Sequence, residues 1–258
     1  MTPVRRILLV AALIMLAQAS VLLQASALAA SHYSVELAFE NPVSLLYTGV
    51  DHVFHAGTTL DSRSQLLAYA EYDSFVEGYG AFSVRKGSHI PGSFVGYLAS
   101  GSSDATTWSY IGAKKLGQFG VGLSLNHTTG VGFTVDTGLS LDLLSALTLS
   151  VALRSVELGS DGLVARDGTV SGVEWRISEG LSLGLGVANL SSPIYRLSVD
   201  AGGKAITARC YAIGERNAQM DSGIEVGLKL RGVTLKLGYH LDGHNNRQIA
   251  GLGLEYCF

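Results

Sequence analysis

From about residue 105 to its end, the chain alternates apolar residues with small or polar ones at period two. Phe119, Val121, Leu123 and Leu125 alternate with Gly120, Gly122, Ser124 and Asn126. Leu181, Leu183, Leu185 and Val187 alternate with Ser182, Gly184, Gly186 and Ala188, and Val233, Leu235, Leu237 and Tyr239 with Thr234, Lys236, Gly238 and His240. The same pattern recurs over 133–142, 147–154 and 224–230. A helix would repeat every three to four residues, whereas successive side chains of a strand point to opposite faces. Each segment therefore reads as a strand with one oily face and one small or polar face.

Composition shows where those oily faces go. Only 15% of residues are charged and 32 are Gly, against roughly a quarter charged and ~7% Gly in ordinary soluble domains. Mean hydropathy is +0.31. Past the first thirty residues, no apolar run approaches the ~18–20 residues of a membrane helix, so the hydropathy resides in strand faces. The formal net charge of −3 gives no basic excess for nucleic acid. Two Cys cannot build a disulfide scaffold or a Cys-rich metal site. Cys210 and Cys257 fall in strands three hairpin steps apart, too far for disulfide geometry, and read as separate thiols.

The N-terminus carries an export signal. Arg5 and Arg6 precede an almost unbroken apolar stretch from Ile7 to Leu23, and Ala27-Leu28-Ala29 supplies a small-x-small cleavage pattern. The expected division is a signal peptide over 1–29, cut after Ala29, and one domain over 30–258. The alternative is an uncleaved anchor helix.

The C-terminus is the most specific segment. Leu252, Leu254, Tyr256 and Phe258 fall on every second position of a strand that ends on an aromatic residue. This resembles the terminal strand by which bacterial outer-membrane proteins are recognised for assembly. In that setting Leu252 and Leu254 face lipid, with Tyr256 and Phe258 in an interfacial aromatic girdle. Only helices and closed barrels satisfy their backbone groups in lipid. The expected fold is all-β, a transmembrane antiparallel up-and-down barrel. At ~10 residues per spanning strand, the chain accommodates about fourteen strands, with twelve to sixteen open. Short turns, such as Arg231-Gly232, alternate with longer polar connections, such as Ile213 to Asp221, as in such barrels. Upstream, Tyr33 to Phe39 reads as a strand and Asn41 to Leu46 as a short helix or turn. Further strands are expected near 52–60, 65–73, 75–85 and 92–100. Counting hairpins back from the C-terminus reaches fourteen at about residue 65, which leaves 52–60 without an assigned place.

Leu181 to Pro193, an apolar-Gly strand closing on Asn189-Leu190 and then Pro193, resembles the PorV/PorQ and FadL-like group of barrels. So do Glu40-Asn41-Pro42 and Glu174-Trp175-Arg176. The resemblance covers about half of the chain after the signal. It implies passage of small or hydrophobic molecules, or else a non-conducting structural or secretion-associated role. The chain departs from FadL-like transporters in its shortness and in lacking a long Gly-rich N-terminal hatch.

The face opposite the lipid carries Asp136, Arg154, Glu174, Arg176, Glu225, Lys229, Lys236 and Glu255. These are candidate lumen-lining residues. They form either a polar channel wall or acid–base pairs that fill the interior. His52 and His55, three apart, point to opposite faces of a strand and make a poor metal pair. No HExxH, GxSxG or phosphate-loop pattern occurs. The reading is therefore non-enzymatic, without catalytic, cofactor or metal residues, although a Ser–His pair at His127 or His240 would make an outer-membrane lipid hydrolase. The expected partners are outer-membrane lipid, the assembly machinery and either a small hydrophobic ligand or a secretion partner.

Overall fold

A computed structural model describes residues 35–49, 51–60, 63–87, 104–159, 162–165, 168–215, 220–243 and 247–258. The signal peptide over 1–29 and the strand expected at 92–100 lie outside the described residues. Two 3-10 helices, Val35–Phe39 and Pro42–Tyr47, precede the strands. The strands are β1 (His52–Thr59), β2 (Gln65–Asp73), β3 (Gly78–Lys86), β4 (Thr106–Leu116), β5 (Phe119–Thr128), β6 (Gly132–Leu144), β7 (Leu147–Gly159), β8 (Gly162–Ala165), β9 (Thr169–Ser178), β10 (Leu181–Ala188), β11 (Ile194–Gly202), β12 (Ile206–Glu215), β13 (Asp221–Leu230), β14 (Val233–Asp242) and β15 (Arg247–Cys257).

Fourteen of these strands close an antiparallel barrel. Each pairs with its sequence neighbour, except that β7 pairs with β6 and β9 while β8 folds back on the far end of β7. The closing seam joins the last strand to the first, from Val53 opposite Cys257 to Thr59 opposite Gly251. Closure removes the sheet edges, which lipid cannot satisfy.

Alternation then sorts the side chains. Leu123, Leu125, Leu139, Leu185, Leu228, Leu235, Leu237, Leu252 and Leu254 are exposed on the outside. Tyr256, Phe54, Tyr69, Phe82 and Tyr110 stand opposite one another across five adjacent strands from β15 to β4. Phe82 and Tyr110 touch at 5.0 Å between ring centroids. Phe258, 59% exposed, stacks on His52 and on Tyr256. Tyr256 and Phe258, at the end of the last strand, lie at a rim of the barrel, where an aromatic girdle is expected.

Two early expectations are corrected. The described part of the strand expected over Tyr33 to Phe39 is a 3-10 helix, Val35–Phe39. Inside a closed barrel it meets no strand edge to pair with, so its backbone bonds locally, as in Glu40 N donating to Leu37 O. Residues 52–59, left without a place by hairpin counting, form β1 and half of the closing seam. The count of fourteen is reached with that strand.

Candidate functional site

The lumen holds a short plug, residues 35–48. Its apolar side is Ala38, Phe39 and Leu45, which pack on inward residues of β1, β2 and β4, among them Val53, Leu66, Ala68 and Ile111. Leu45 is fully buried. At ~1.5–3 kcal/mol per buried large apolar side chain, this packing holds the plug by several kcal/mol.

The opposite side seats on glycine. A Cβ on Gly122 would overlap Val43 N and Pro42 C, and one on Gly138 would overlap the Asn41 amide. Asn41 caps the second 3-10 helix, accepting from Val43 N at 3.3 Å. Pro42 follows in the first turn, where its missing N–H costs nothing. The Asn-Pro pair is thus the element that turns the chain against β5 and β6.

Polar ties fix both ends of the plug. Arg196 on β11 donates to Glu40, which is 2% exposed, at 2.6 Å. Glu36 lies 3.1 Å from the buried His55 ring on β1. Tyr47 donates to Asp142 at 2.9 Å and lies 2.8 Å from the Ser140 hydroxyl. Burial, reinforced by the Asp142 carboxylate, pushes the Tyr47 hydroxyl up to about 12, so it keeps the proton it donates. Asp142 also pairs with Lys115 at 2.6 Å.

The plug leaves a crevice along the wall from β7 to β15. Its upper part lies between Glu40, Ser44 and Tyr47 of the plug and Ser150, Glu174 and Arg196 of the wall. Its lower part runs past Arg176, Lys229 and Glu255 towards the end of the barrel with the short turns. The two share Ser182, Asp200 and Arg209 in their linings, so they adjoin at that level of the wall. The cavities measure about 80 and 50 Å³, room for a few water molecules each.

The structure divides the eight candidate lining residues between this crevice and the rest of the interior. Glu174, Arg176, Glu225, Lys229, Lys236 and Glu255 line the crevice. Lys236 lies 2.9 Å from Glu255 and 4.0 Å from Glu225. Asp136 is buried away from it, accepting from Ser155 N, Asn126 and Ser124. Arg154 is also buried, on β7. Sequence reasoning missed Arg196, Asp200 and Arg209, which complete the charged wall; Arg209 pairs with Asp200. The period-two spacing of Arg196, Ser198 and Asp200 is their signal. It is blurred because β11 and β12 carry apolar residues on both faces, with Ile194, Tyr211 and Ile213 in an inward cluster.

His127 lies between Trp108 and Phe133, at 5.6 and 4.6 Å between centroids. His240 meets Tyr211 and Asp221 at 2.9 and 3.4 Å. Neither of these contacts is with a Ser. Cys210 and Cys257 are free thiols. Leu252, Leu254 and Tyr256 on β15, and Phe258 just after it, are exposed while Glu255 points inward.

No family model matches the chain, and no curated protein matches its sequence. Solved structures do match. The outer membrane protein Omp33 of Acinetobacter baumannii superposes with a TM-score of 0.58 at 10% identity, covering 81% of this chain and 98% of Omp33. The monoaromatic hydrocarbon channel CymD gives 0.57 at 9% identity, over 90% of this chain and 95% of CymD. The toluene transporter TodX of Pseudomonas putida gives 0.54 at 10% identity, over 88% and 93%. At such identities the likeness is one of architecture: this chain has the fold of outer-membrane β-barrels.

Proposed function

We propose that the protein is an integral outer-membrane barrel that passes small molecules between its plug and its wall. The observation that carries this reading is the pair of adjoining polar cavities beside the plug, which share Ser182, Asp200 and Arg209. The apolar exterior and the aromatic residues near the seam support residence in a bilayer. In this reading the chain is exported by residues 1–29, begins at Ala30 when mature, and is delivered to the assembly machinery by Leu252, Leu254, Tyr256 and Phe258. TodX is a toluene transporter and CymD a hydrocarbon channel; through that likeness an apolar small molecule is one class of cargo. The lining of the crevice favours another.

A non-conducting barrel that acts through protein partners, of the PorV/PorQ type, is the second reading. It is favoured by the ion pair between Glu40 and Arg196, which ties the plug to the wall. Single-channel recording of the refolded full chain in a planar bilayer separates the two. Discrete conductance steps support the channel. A silent bilayer, with the protein demonstrably folded, overturns it.

A further inference from the structure

The wall of the crevice carries charge on successive strands. Asp200 on β11 stands opposite Arg209 on β12, and Arg209 opposite Glu225 on β13. Lys236 on β14 reaches both Glu225 and Glu255. Arg176 lies in the same crevice from β9, and its Nε makes no hydrogen bond among the described residues. Acids and bases are therefore interleaved along one wall rather than segregated on opposite sides. Apolar side chains cluster against the plug and around Ala152, Ile194, Tyr211 and Ile213, with Leu37, Val43 and Val170 reaching the upper part of the crevice.

That arrangement discriminates between solutes. A hydrocarbon entering the crevice strips water from guanidinium, ammonium and carboxylate groups and gives them nothing in return, and unmade bonds to charged groups are the costliest kind. A solute carrying both a carboxylate and an ammonium replaces that water with charge-assisted hydrogen bonds of both signs. A solute of single charge meets as many repulsive as attractive neighbours along the wall. The width, room for a few waters, restricts size.

Resting on the channel reading, we propose that the crevice selects small zwitterionic solutes of the amino-acid class and disfavours hydrocarbons. Arg176, Arg209 and Lys236 receive the carboxylate; Glu174, Glu225 and Glu255 receive the ammonium.

The test uses the full chain refolded into liposomes and planar bilayers, with labelled glycine as the zwitterion and potassium chloride gradients for ion selectivity. Folding of every variant is checked by heat-modifiable gel mobility. The wild type is expected to take up glycine above protein-free liposomes and to show little preference between potassium and chloride. Arg176→Gln removes a cation whose Nε makes no hydrogen bond among the described residues, and Lys229→Gln, near the short-turn end, is the second variant. Each is expected to lower glycine uptake and to raise potassium over chloride permeability by about threefold, as lumen charge sets selectivity. A wild type that conducts ions but excludes glycine overturns the inference and leaves the channel standing. So do variants that change neither readout, or glycine uptake that toluene abolishes. Absence of both current and uptake from folded protein removes the channel reading and the inference with it.

Discussion

Leu237 and Gly238 are adjacent residues in the middle of β14, and the fold gives them opposite environments. Leu237 is 61% exposed on the outer face, in a row with Val226 and Leu252 on the flanking strands. Gly238 faces inward, and a Cβ built there has nothing within 4 Å. It also stands opposite Glu225 in the ladder. Leu237→Arg places a cation near the bilayer midplane, which costs about 2–4 kcal/mol on the lipid face of a barrel. At 1.4 kcal/mol per tenfold, that lowers the folded-to-unfolded ratio by about 30- to 700-fold. Gly238→Arg puts the same group into hydrated space beside a carboxylate, and its cost is held to about 1 kcal/mol. The assay is reversible guanidinium unfolding in phospholipid vesicles, followed by tryptophan fluorescence and gel mobility. Equal losses for the two variants would refute the assignment of faces, and with it residence in lipid. A neutral Leu237→Arg would do the same.

Three further outcomes follow from the lumen and the seam. Glu40→Ala leaves Arg196 without its buried partner; it is expected to destabilise the seated plug by about 3 kcal/mol and to raise protease cleavage within 35–48, read by mass spectrometry of digested vesicles. Gly122→Val drives a side chain into Val43 and Pro42 and is expected to unseat the plug, whereas Gly238→Val leaves the same cleavage unchanged. Phe258→Ala removes one interfacial ring and a residue of the assembly signal; the heat-modifiable fraction in the envelope is expected to fall severalfold while refolding in detergent changes little.

The legible parts of this fold are those where two different solvents meet one strand. On β5 and β14 the outer face is apolar and exposed while the inner face is small or polar, so Leu123 and Gly122, or Leu237 and Lys236, alternate cleanly in the sequence. On β1 the inward Val53 packs on the plug, so apolar residues stand on both faces and the phase is lost. In the plug, Asn41 to Leu46 reads as the short helix that it forms, but the first helix is hidden for a related reason. Val35, Leu37 and Phe39 have strand spacing, but closure leaves no edge for them to join. Charge on the wall is readable from strands with clean phase, as for Glu225 and Lys236. It is hidden on β11 and β12, where Ile194 and Ile213 share the inner face with Arg196 and Arg209.

The plug makes the barrel mechanically uneven. Strands β1 to β6 carry the plug on their inner face, where Phe39, Leu45 and Val43 pack. The strands along the crevice are a single sheet with an apolar outer face on one side and water-sized space on the other. Their ladder amides are expected to exchange hydrogen sooner than those behind the plug, as read by hydrogen-exchange mass spectrometry. Any breathing of the cross-section that widens the path falls on that thinner half, with the plugged half as its rigid frame.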